Sequence, residues 1–233
     1  MRGLTAPFQT VPVLDILPES SDTQTFRLGT CFPYKAGQSV SLTIPGDPKK
    51  RYYSLSSSPT EKGFMAITIK AADREKKLYG SLFRLNKGSQ VEIAGPYGSM
   101  TLPDTLEGSV YFLAAGSGVA PFRSMIKFIQ DVRPQTDTWL IHSVKTPEDL
   151  LFKDHFMEWS RNPAFHYVPT FTRWTRAEAG GETGRIGETL LRKHTLQAHG
   201  TFFLCGPKEF VKDMEHVLIG LRVPADHIRR EQW

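Results

Sequence analysis

The sequence is poor in cysteine and has no long apolar runs, and both features narrow what it can encode. Only two cysteines, Cys31 and Cys205, occur in 233 residues, too few for a disulfide framework or an iron–sulfur site of the chain's own. The longest apolar runs, such as VYFLAAG, are far shorter than the roughly 20 residues of a membrane-spanning helix. The first residues, MRGLTAPFQTVPVLDI, lack the apolar stretch of a secretory signal. We therefore expect a cytoplasmic protein without a membrane span or a metal centre.

A concentrated excess of one charge is also lacking. The formal net charge is +5, from 29 Lys and Arg against 24 Asp and Glu, and the basic residues are scattered. This pattern gives no support to nucleic-acid binding, and it leaves open a mildly basic surface that attracts an acidic protein. The apolar and aromatic fractions, 39% and 11%, are typical of folded domains, and the length suits two of about 100 residues each.

The first half of the chain consists of short β-branched or aromatic segments between turn residues. The segments are TVPVLDILPES, TQTFRLGT, QSVSLTIPG, RYYSLSSS, FMAITIKA and QVEIAGPYG. This rhythm predicts an antiparallel barrel or sandwich. Leu78, Leu82 and Leu85 interrupt it at helical spacing, which predicts one short helix that ends at Gly88.

After TLPDTLEG the pattern changes to buried strands that alternate with helices. The apolar runs SVYFLAAG, TWLIHSV, AFHYVPTF and TFFLCG are typical of parallel strands. Between them lie PFRSMIKFIQDV, TPEDLLFKDHFMEWSR, IGETLLRKH and PKEFVKDMEHVLIGL, the second with Thr146 as N-cap and Pro147 at its first position. We predict a two-domain chain, an antiparallel β-barrel at 1–105 followed by a doubly wound parallel α/β domain at 106–233.

Two glycine-containing turns in the second half favour nucleotide binding. GSGVAP, Gly116–Pro121, follows a strand and opens a helix, where free N–H groups and the helix dipole suit a phosphate. Pro121 replaces the third glycine of a Rossmann fingerprint, and a purely structural turn is the alternative. CGP, Cys205–Pro207, lies at the carboxyl end of a strand, where ligands bind in open α/β sheets. A buried structural cysteine is the alternative there.

Two further stretches could likewise either bind a ligand or have a purely structural role. RYYSLSSSP, Arg51–Pro59, places a fixed charge, aromatic rings and hydroxyls side by side. The C-terminal IRREQW ends in Trp233, which is either a loosely docked end or a lid over a flat ligand.

The order of these motifs resembles the ferredoxin–NADP reductase superfamily. RxYS, GPxG, GxGxxP, CGP and a terminal acid and aromatic follow one another over essentially the whole chain. The sequence is most similar to the bacterial two-domain ferredoxin/flavodoxin–NADP reductases. The resemblance implies that the barrel holds a flavin, FAD rather than FMN, and that the α/β domain holds a nicotinamide nucleotide.

The resemblance also implies roles for single residues on the flavin side. Arg51 pairs with the flavin diphosphate, Tyr53 packs on the isoalloxazine, and Ser54 lies near flavin N5. Other implied flavin contacts are Leu55, Ile69, Lys70, Tyr79, Gly80 and Ser81.

On the nucleotide side the resemblance implies a pyrophosphate turn and a site for the 2′-phosphate. The implied contacts are Gly116, Ser117, Gly118, Pro121, Ser143, Thr172, Arg173, Arg185, Cys205, Gly206 and Pro207. Cys205 lies near the reacting atoms, Glu231 relays a proton, and Trp233 covers the flavin. Thr172, Arg173 and Arg185 favour NADP(H), whereas VKTPEDLLF resembles NADH-using relatives and keeps NAD(H) possible.

The function implied is electron transfer between NADPH and a separate one-electron carrier, an acidic ferredoxin or flavodoxin, by a monomeric enzyme. Two alternatives stay open. One is an NADH-dependent reductase that serves an oxygenase or reduces free flavin or quinone. The other is a flavin-binding regulatory subunit without turnover.

Overall fold

The computed structural model describes residues 8–30, 32–71, 82–106, 108–174, 180–194 and 200–232, with the side chain of residue 48 excepted. The first part of the chain forms one antiparallel sheet in the order β4-β3-β6-β1-β2-β5. Its strands are β1 Gln9–Ser20, β2 Thr23–Leu28, β3 Ser39–Ile44, β4 Asp47–Ser54, β5 Met65–Lys70 and β6 Gln90–Tyr97.

The sheet curls until its two edge strands meet. Leu55, just beyond β4, forms an isolated bridge with Ile67 of β5. Leu42, Leu55, Ile67 and Val91 lie in the enclosed core and are fully buried. The predicted antiparallel barrel is therefore confirmed, because closing the sheet buries one face of every strand.

The helix predicted around Leu82 is short in the described region. Leu82–Arg84 form a single 3-10 turn before Gly88, whose φ of 92° reverses the chain. Residues 72–81 lie outside the described ranges.

The second part forms a six-stranded parallel sheet in the order β10-β9-β8-β7-β11-β12. Its strands are β7 Val110–Ala115, β8 Thr138–Val144, β9 Phe165–Phe171, β10 Glu182–Thr183, β11 Thr201–Gly206 and β12 Ile228–Gln232. The helices are α1 Val119–Val132, α2 Lys153–Trp159, α3 Glu188–Lys193 and α4 Lys208–Gly220. The predicted α/β domain is confirmed, and the division at 105/106 falls between β6 and β7 and stays a prediction.

One predicted helix is wrong as a continuous element. The segment TPEDLLFKDHFMEWSR forms a 3-10 turn at Pro147–Asp149 and then α2, with an interruption between them. The predicted cap is present: Thr146 and Asp149 form a capping box, and Pro147 is the first residue. The interruption ends at Phe152, whose φ of 56° places a non-glycine residue in the left-handed region.

The strand β12 was not predicted. IRREQ contains three charged residues and one amide and does not read as a buried strand. It pairs in parallel with β11, so that Cys205 lies opposite Glu231. A sheet edge can accept such a strand because one of its faces stays partly solvated.

Aromatic rings hold the middle of the sheet together. Phe112 is fully buried between Phe122 on α1, 5.0 Å away between ring centroids, and Phe203 on β11, 5.1 Å away. On the opposite face Phe202, Tyr111 and Trp139 stack across three strands.

The substitution Phe112→Ala tests how much this aromatic core contributes to the free energy of unfolding. It leaves a cavity between three packed rings, and we expect it to lower the free energy of unfolding by about 3–5 kcal/mol. Val132→Ala at the end of α1, where the side chain is 51% exposed, should change it by less than about 0.5 kcal/mol. Urea denaturation followed by circular dichroism gives both values. Similar losses for the two variants would contradict the assignment of Phe112 to the core.

Candidate functional site

The glycine turn of the second domain is built for close contact with the end of β11. Gly116–Gly118 form a 3-10 turn between β7 and α1, and Gly116 has a φ of 55°, which glycine adopts readily. A Cβ on Gly118 would overlap the carbonyl group of Cys205. The two predicted motifs, GSGVAP and CGP, are therefore in direct contact, and only glycine permits it.

A buried histidine on the neighbouring strand β8 forms a hydrogen bond to this turn. His142 on β8 is fully buried, and its Nε2 lies 3.0 Å from the carbonyl oxygen of Gly116. Burial lowers the pKa of His142 to about 4, so the ring is neutral at pH 7 and its Nε2–H donates to that carbonyl. No role for His142 is predicted from the sequence. Its supporting role depends on the parallel register of β7 and β8, which places Ala114 opposite His142.

A thiol and a carboxyl group meet at the carboxyl ends of β11 and β12. Burial raises the pKa of Cys205 well above its usual value, and the charge of Glu231 adds to the effect. Burial also raises the pKa of Glu231. The thiol is therefore neutral at pH 7, and the carboxyl group holds a proton more readily than an exposed glutamate.

A cavity of about 790 Å³ opens beside the glycine turn at the carboxyl end of the sheet. Seven residues predicted to bind nucleotide line it: Gly116, Ser117, Ser143, Thr172, Arg173, Arg185 and Pro207. Gly118 and Pro121 are buried at the start of α1, and Cys205 and Gly206 are buried at the end of β11. Of the predicted flavin residues, Lys70 reaches the same cavity from the barrel.

The cavity wall carries four cations and three acids. The cations are Lys70, Lys145, Arg173 and Arg185. Lys145 is not among the residues predicted from the sequence, although its position directly after β8 could have indicated it. The three acids of the wall, Asp149, Glu209 and Asp213, were not predicted either. The carboxylate of Asp149 is engaged in the capping box, where it accepts the Thr146 N–H at 3.0 Å.

The predicted flavin residues border the seam between the barrel's edge strands. Arg51 is buried and donates to Asp47 at 2.6 Å and to the Lys49 carbonyl at 3.0 Å. Tyr53 packs half-buried against the barrel core, and Ser54 ends β4.

On the other side of the seam β5 carries Ile69 and Lys70. The glycine turn of the second domain packs against β5. The seam and the cavity are therefore adjacent. Tyr79, Gly80, Ser81 and Trp233 lie outside the described residues, and their assignments stay predictions.

The residues present fit a flavin on one side and a nicotinamide nucleotide on the other. Cationic side chains and a glycine turn at a helix start are the groups that bind phosphates. Among the described residues, no cluster of three or more His, Cys, Asp or Glu could hold a metal ion. No helix in the described ranges has the length and apolar character needed to cross a membrane.

Comparison with known domains identifies both halves of the chain. Residues 11–102 match the oxidoreductase FAD-binding domain, and residues 112–216 match the oxidoreductase NAD-binding domain. The fold and these matches thus define a chain of two oxidoreductase domains, one of the FAD-binding and one of the NAD-binding type. The chain belongs to the ferredoxin–NADP reductase family.

Individual relatives agree with this assignment. A flavohemoprotein of Xylella fastidiosa is 29% identical over 228 residues, which are 92% of this chain and 56% of the relative. The chain thus spans little more than half of that relative's length. The structure of the cytochrome P450 reductase GcoB of Amycolatopsis superposes with a TM-score of 0.87 at 26% identity, over 98% of this chain and 71% of that one.

A second solved structure is similar over its whole length. The ferredoxin NADP+ reductase of Neisseria gonorrhoeae, with bound FAD and NADP, gives a TM-score of 0.82 at 25% identity. The match covers 97% of this chain and 99% of that one. Both domains are therefore matched together in one solved chain.

The neutrality of His142 makes stability depend on pH. The unfolded chain has an ordinary histidine pKa of 6.5, whereas the folded value is about 4. Between these values the unfolded state binds a proton that the folded state does not. The folded state therefore loses stability as the pH falls from 6.5 towards 4, by up to about 1.4 kcal/mol per pH unit, and no such loss occurs above 6.5.

Urea midpoints at pH 7, 6 and 5 measure this slope. We expect His142→Gln to flatten it, and the control His216→Gln, on the exposed side of α4, to leave it as in the wild type. An unchanged slope in His142→Gln would show that this group is not responsible.

Gly118→Ala tests the close contact with Cys205. The added methyl group must push α1 away from β11, and we expect a loss of about 1–3 kcal/mol in stability together with weaker nucleotide binding. The control Gly187→Ala places its methyl group in open space at an ordinary φ. Thermal unfolding and titration with NADPH give the two readouts. Wild-type behaviour of Gly118→Ala would refute the contact.

Proposed function

We propose that this chain is an NADPH-dependent FAD reductase that passes electrons to a separate one-electron carrier, a ferredoxin or a flavodoxin. The observation that supports it most is the cavity at the carboxyl end of the parallel sheet, with four cationic side chains in its wall. Bound FAD supplies the redox chemistry, because it takes up a hydride and releases electrons singly. The protein binds the two cofactors, orients them and keeps water away.

Backbone hydrogen bonds bring two cations of this wall, Lys145 and Arg173, to one edge. The Arg173 N–H donates to the Lys145 carbonyl at 2.9 Å, and the Thr172 N–H donates to the Val144 carbonyl at 2.9 Å. These bonds extend the pairing of β8 and β9 past the strand ends. They hold Lys145 and Arg173 next to each other.

A second connection brings Arg185 to the same edge. The N–H of its neighbour Gly184 donates to the Phe171 carbonyl at 2.8 Å. Guanidinium groups bind a phosphate through several parallel hydrogen bonds, and the 2′-phosphate is the group that distinguishes NADP from NAD. The arrangement therefore supports NADPH as the donor.

Glu231 and Cys205 have different roles in this proposal. Glu231 is partly buried, and its raised pKa suits a carboxyl group that passes a proton to the site. Cys205 is a neutral thiol whose main-chain carbonyl abuts Gly118. It orients the site and does not act as a nucleophile, because hydride transfer needs no covalent intermediate.

The carrier is proposed from charge and from the lack of an iron–sulfur ligand set in the sequence. Two cysteines are too few to ligate a cluster within these 233 residues, which favours an acceptor outside them. The net charge of +5 favours an acidic carrier. A monomer in the cytoplasm is part of the same proposal.

A second candidate is a reductase component of an oxygenase that uses NADH. The similarity to a cytochrome P450 reductase favours it, as do Glu209 and Asp213, which add negative charge to the cavity wall. A flavin-binding regulatory subunit is the third candidate. It would bind flavin that neither nucleotide reduces.

One spectroscopic experiment separates these candidates. The purified protein, reconstituted with FAD, is mixed anaerobically with NADPH or with NADH, and the flavin absorbance is followed. We expect rapid bleaching with NADPH and slow bleaching with NADH. Faster bleaching with NADH supports the oxygenase reductase, and no bleaching supports the regulatory subunit. Turnover with ferredoxin, flavodoxin, free flavin and quinone then identifies the class of acceptor.

Arg173→Ala tests nucleotide choice directly. The loss of one charge-assisted contact to the 2′-phosphate should lower kcat/KM for NADPH by about 10- to 100-fold. The value for NADH should change by less than about threefold, because NADH lacks that phosphate. Arg192→Ala is the matched control, since Arg192 is exposed on α3 and pairs with Glu188. Equal losses with NADPH and NADH would contradict the assignment.

A further inference from the structure

The serine run after the flavin strand is buried at the boundary between the two domains. Ser56, Ser57 and Ser58 are each exposed by 1% or less. The Ser56 carbonyl accepts from Arg123 Nη1 at 3.0 Å, and the Ser57 carbonyl accepts from Ser124 Oγ at 2.5 Å. Both donors lie on α1, which begins right after the glycine turn. The chain that follows the flavin strand is thus hydrogen-bonded to the nucleotide helix.

Arg123 forms a buried ion pair across the same boundary. Its two Nη atoms donate to the carboxylate of Glu61, a barrel residue, at 2.5 and 3.0 Å. Burial acts to raise the pKa of Glu61, but the hydrogen bonds and charge of Arg123 outweigh it, and the pKa is lowered. The carboxylate is therefore charged at neutral pH. Such pairs restrict geometry strongly, because either partner alone would be a buried uncompensated charge.

A second link crosses the boundary at the cavity wall. Glu19 of the barrel accepts the N–H of Phe152 through Oε2 at 3.1 Å. Phe152 is the residue in the left-handed conformation, and its neighbour Leu151 lines the nucleotide cavity. A conformation of this kind persists only where the surroundings hold it. Glu19 therefore holds part of the cavity wall.

Inside the barrel a row of hydroxyl groups joins the two links. Thr25 Oγ1 donates to Glu19 Oε1 at 2.7 Å and lies 2.8 Å from Thr68 Oγ1. Thr68 Oγ1 lies 2.9 Å from Ser56 Oγ. The polar contacts thus run without a break from the cavity wall, through β2 and β5, to the serine run and the start of α1. We call Glu19, Thr25, Thr68, Ser56, Arg123 and Glu61 the interdomain network.

We propose that the interdomain network sets the distance between the nicotinamide and the flavin, so that Glu19 and Arg123 are positioning residues for hydride transfer. The inference rests on the proposed function, in which each domain holds one of the two rings. Hydride transfer requires the reacting atoms about 3–3.5 Å apart, and a displacement of 1 Å can cost about 100-fold in rate. A shift of one domain relative to the other therefore lowers the rate of hydride transfer.

Two variants interrupt the network at different points. Glu19→Met keeps the length of the side chain but removes both acceptor oxygens, which leaves the Phe152 N–H without its acceptor. The double variant Thr25→Val, Thr68→Val removes the hydroxyl row with side chains of the same shape. If the first variant fails to fold, the second still tests the proposal, because the removal of both partners of a hydrogen bond is tolerated best.

Two readouts are taken on the full chain. In Glu19→Met, hydrogen–deuterium exchange of the segment 150–156, measured without nucleotide, should become at least about tenfold faster, since the Phe152 amide loses its acceptor. The flavin reduction rate at saturating NADPH should fall at least about tenfold. The dissociation constant for NADPH and the FAD content should stay within about twofold of the wild type. If the network had only a structural role, the variants would have a lower melting temperature, but the reduction rate would not fall while the NADPH affinity stayed the same.

Asp131→Ala is the matched control. Asp131 on α1 accepts from Thr60 Oγ1 of the barrel at 2.5 Å. This contact also crosses the domain boundary, but it is exposed and outside the interdomain network. We expect wild-type exchange and reduction rates for this variant.

The outcomes are distinguishable from a failure of the proposed function. Wild-type reduction rates in both network variants, or unchanged exchange of the segment 150–156 in Glu19→Met, would overturn the positioning role. If neither NADPH nor NADH reduces the wild-type flavin, the proposed function fails, and the exchange experiment still decides whether the network holds the cavity wall.

Discussion

The contact between Gly118 and the main chain of Cys205 is the constraint on which the site depends. It allows the main chain at the start of α1 to contact the main chain at the end of β11. The glycine turn then lies next to β5 of the barrel, and the cavity opens between this turn and the ends of β8 and β9. A larger residue at 118 would separate these parts. The buried His142 stabilises the conformation at Gly116 through a hydrogen bond to its carbonyl oxygen.

The site separates charged from neutral groups by burial. The cations of the cavity wall reach solvent-accessible space, where a guanidinium or ammonium group keeps its hydration until a phosphate replaces it. His142 and Cys205 are buried, and burial favours the uncharged form of each. The structure thus offers fixed positive charge to a phosphate and an uncharged environment near the strand ends. Both conditions suit a reaction that moves a hydride between two flat rings.

The sequence predicts those features that depend on short-range patterns. Alternating apolar segments predict the barrel strands, and the apolar runs predict β7, β8, β9 and β11. The cap at Thr146 and the turn at Gly116 follow from local residue preferences. The same local patterns, read with the family resemblance, point to seven of the residues that line the nucleotide cavity.

The features that the sequence does not reveal depend on distant partners. The break before α2 occurs because Phe152 donates its N–H to Glu19, which lies 133 residues earlier in the chain. The strand β12 forms because β11 offers an edge to IRREQ. The serine run looks like an exposed turn, yet it is buried because α1 supplies Arg123 and Ser124 as donors. No local pattern contains these partners.

The burial of Cys205 affects how easily its thiol is oxidised in the presence of oxygen. Reduced flavins give up electrons to oxygen, and the peroxide that results attacks thiolates far faster than thiols. Among the described residues Cys205 is the one cysteine, and it is buried as an uncharged thiol under a backbone contact. The protein therefore keeps this sulfur in the uncharged state, which is the state least open to oxidative damage.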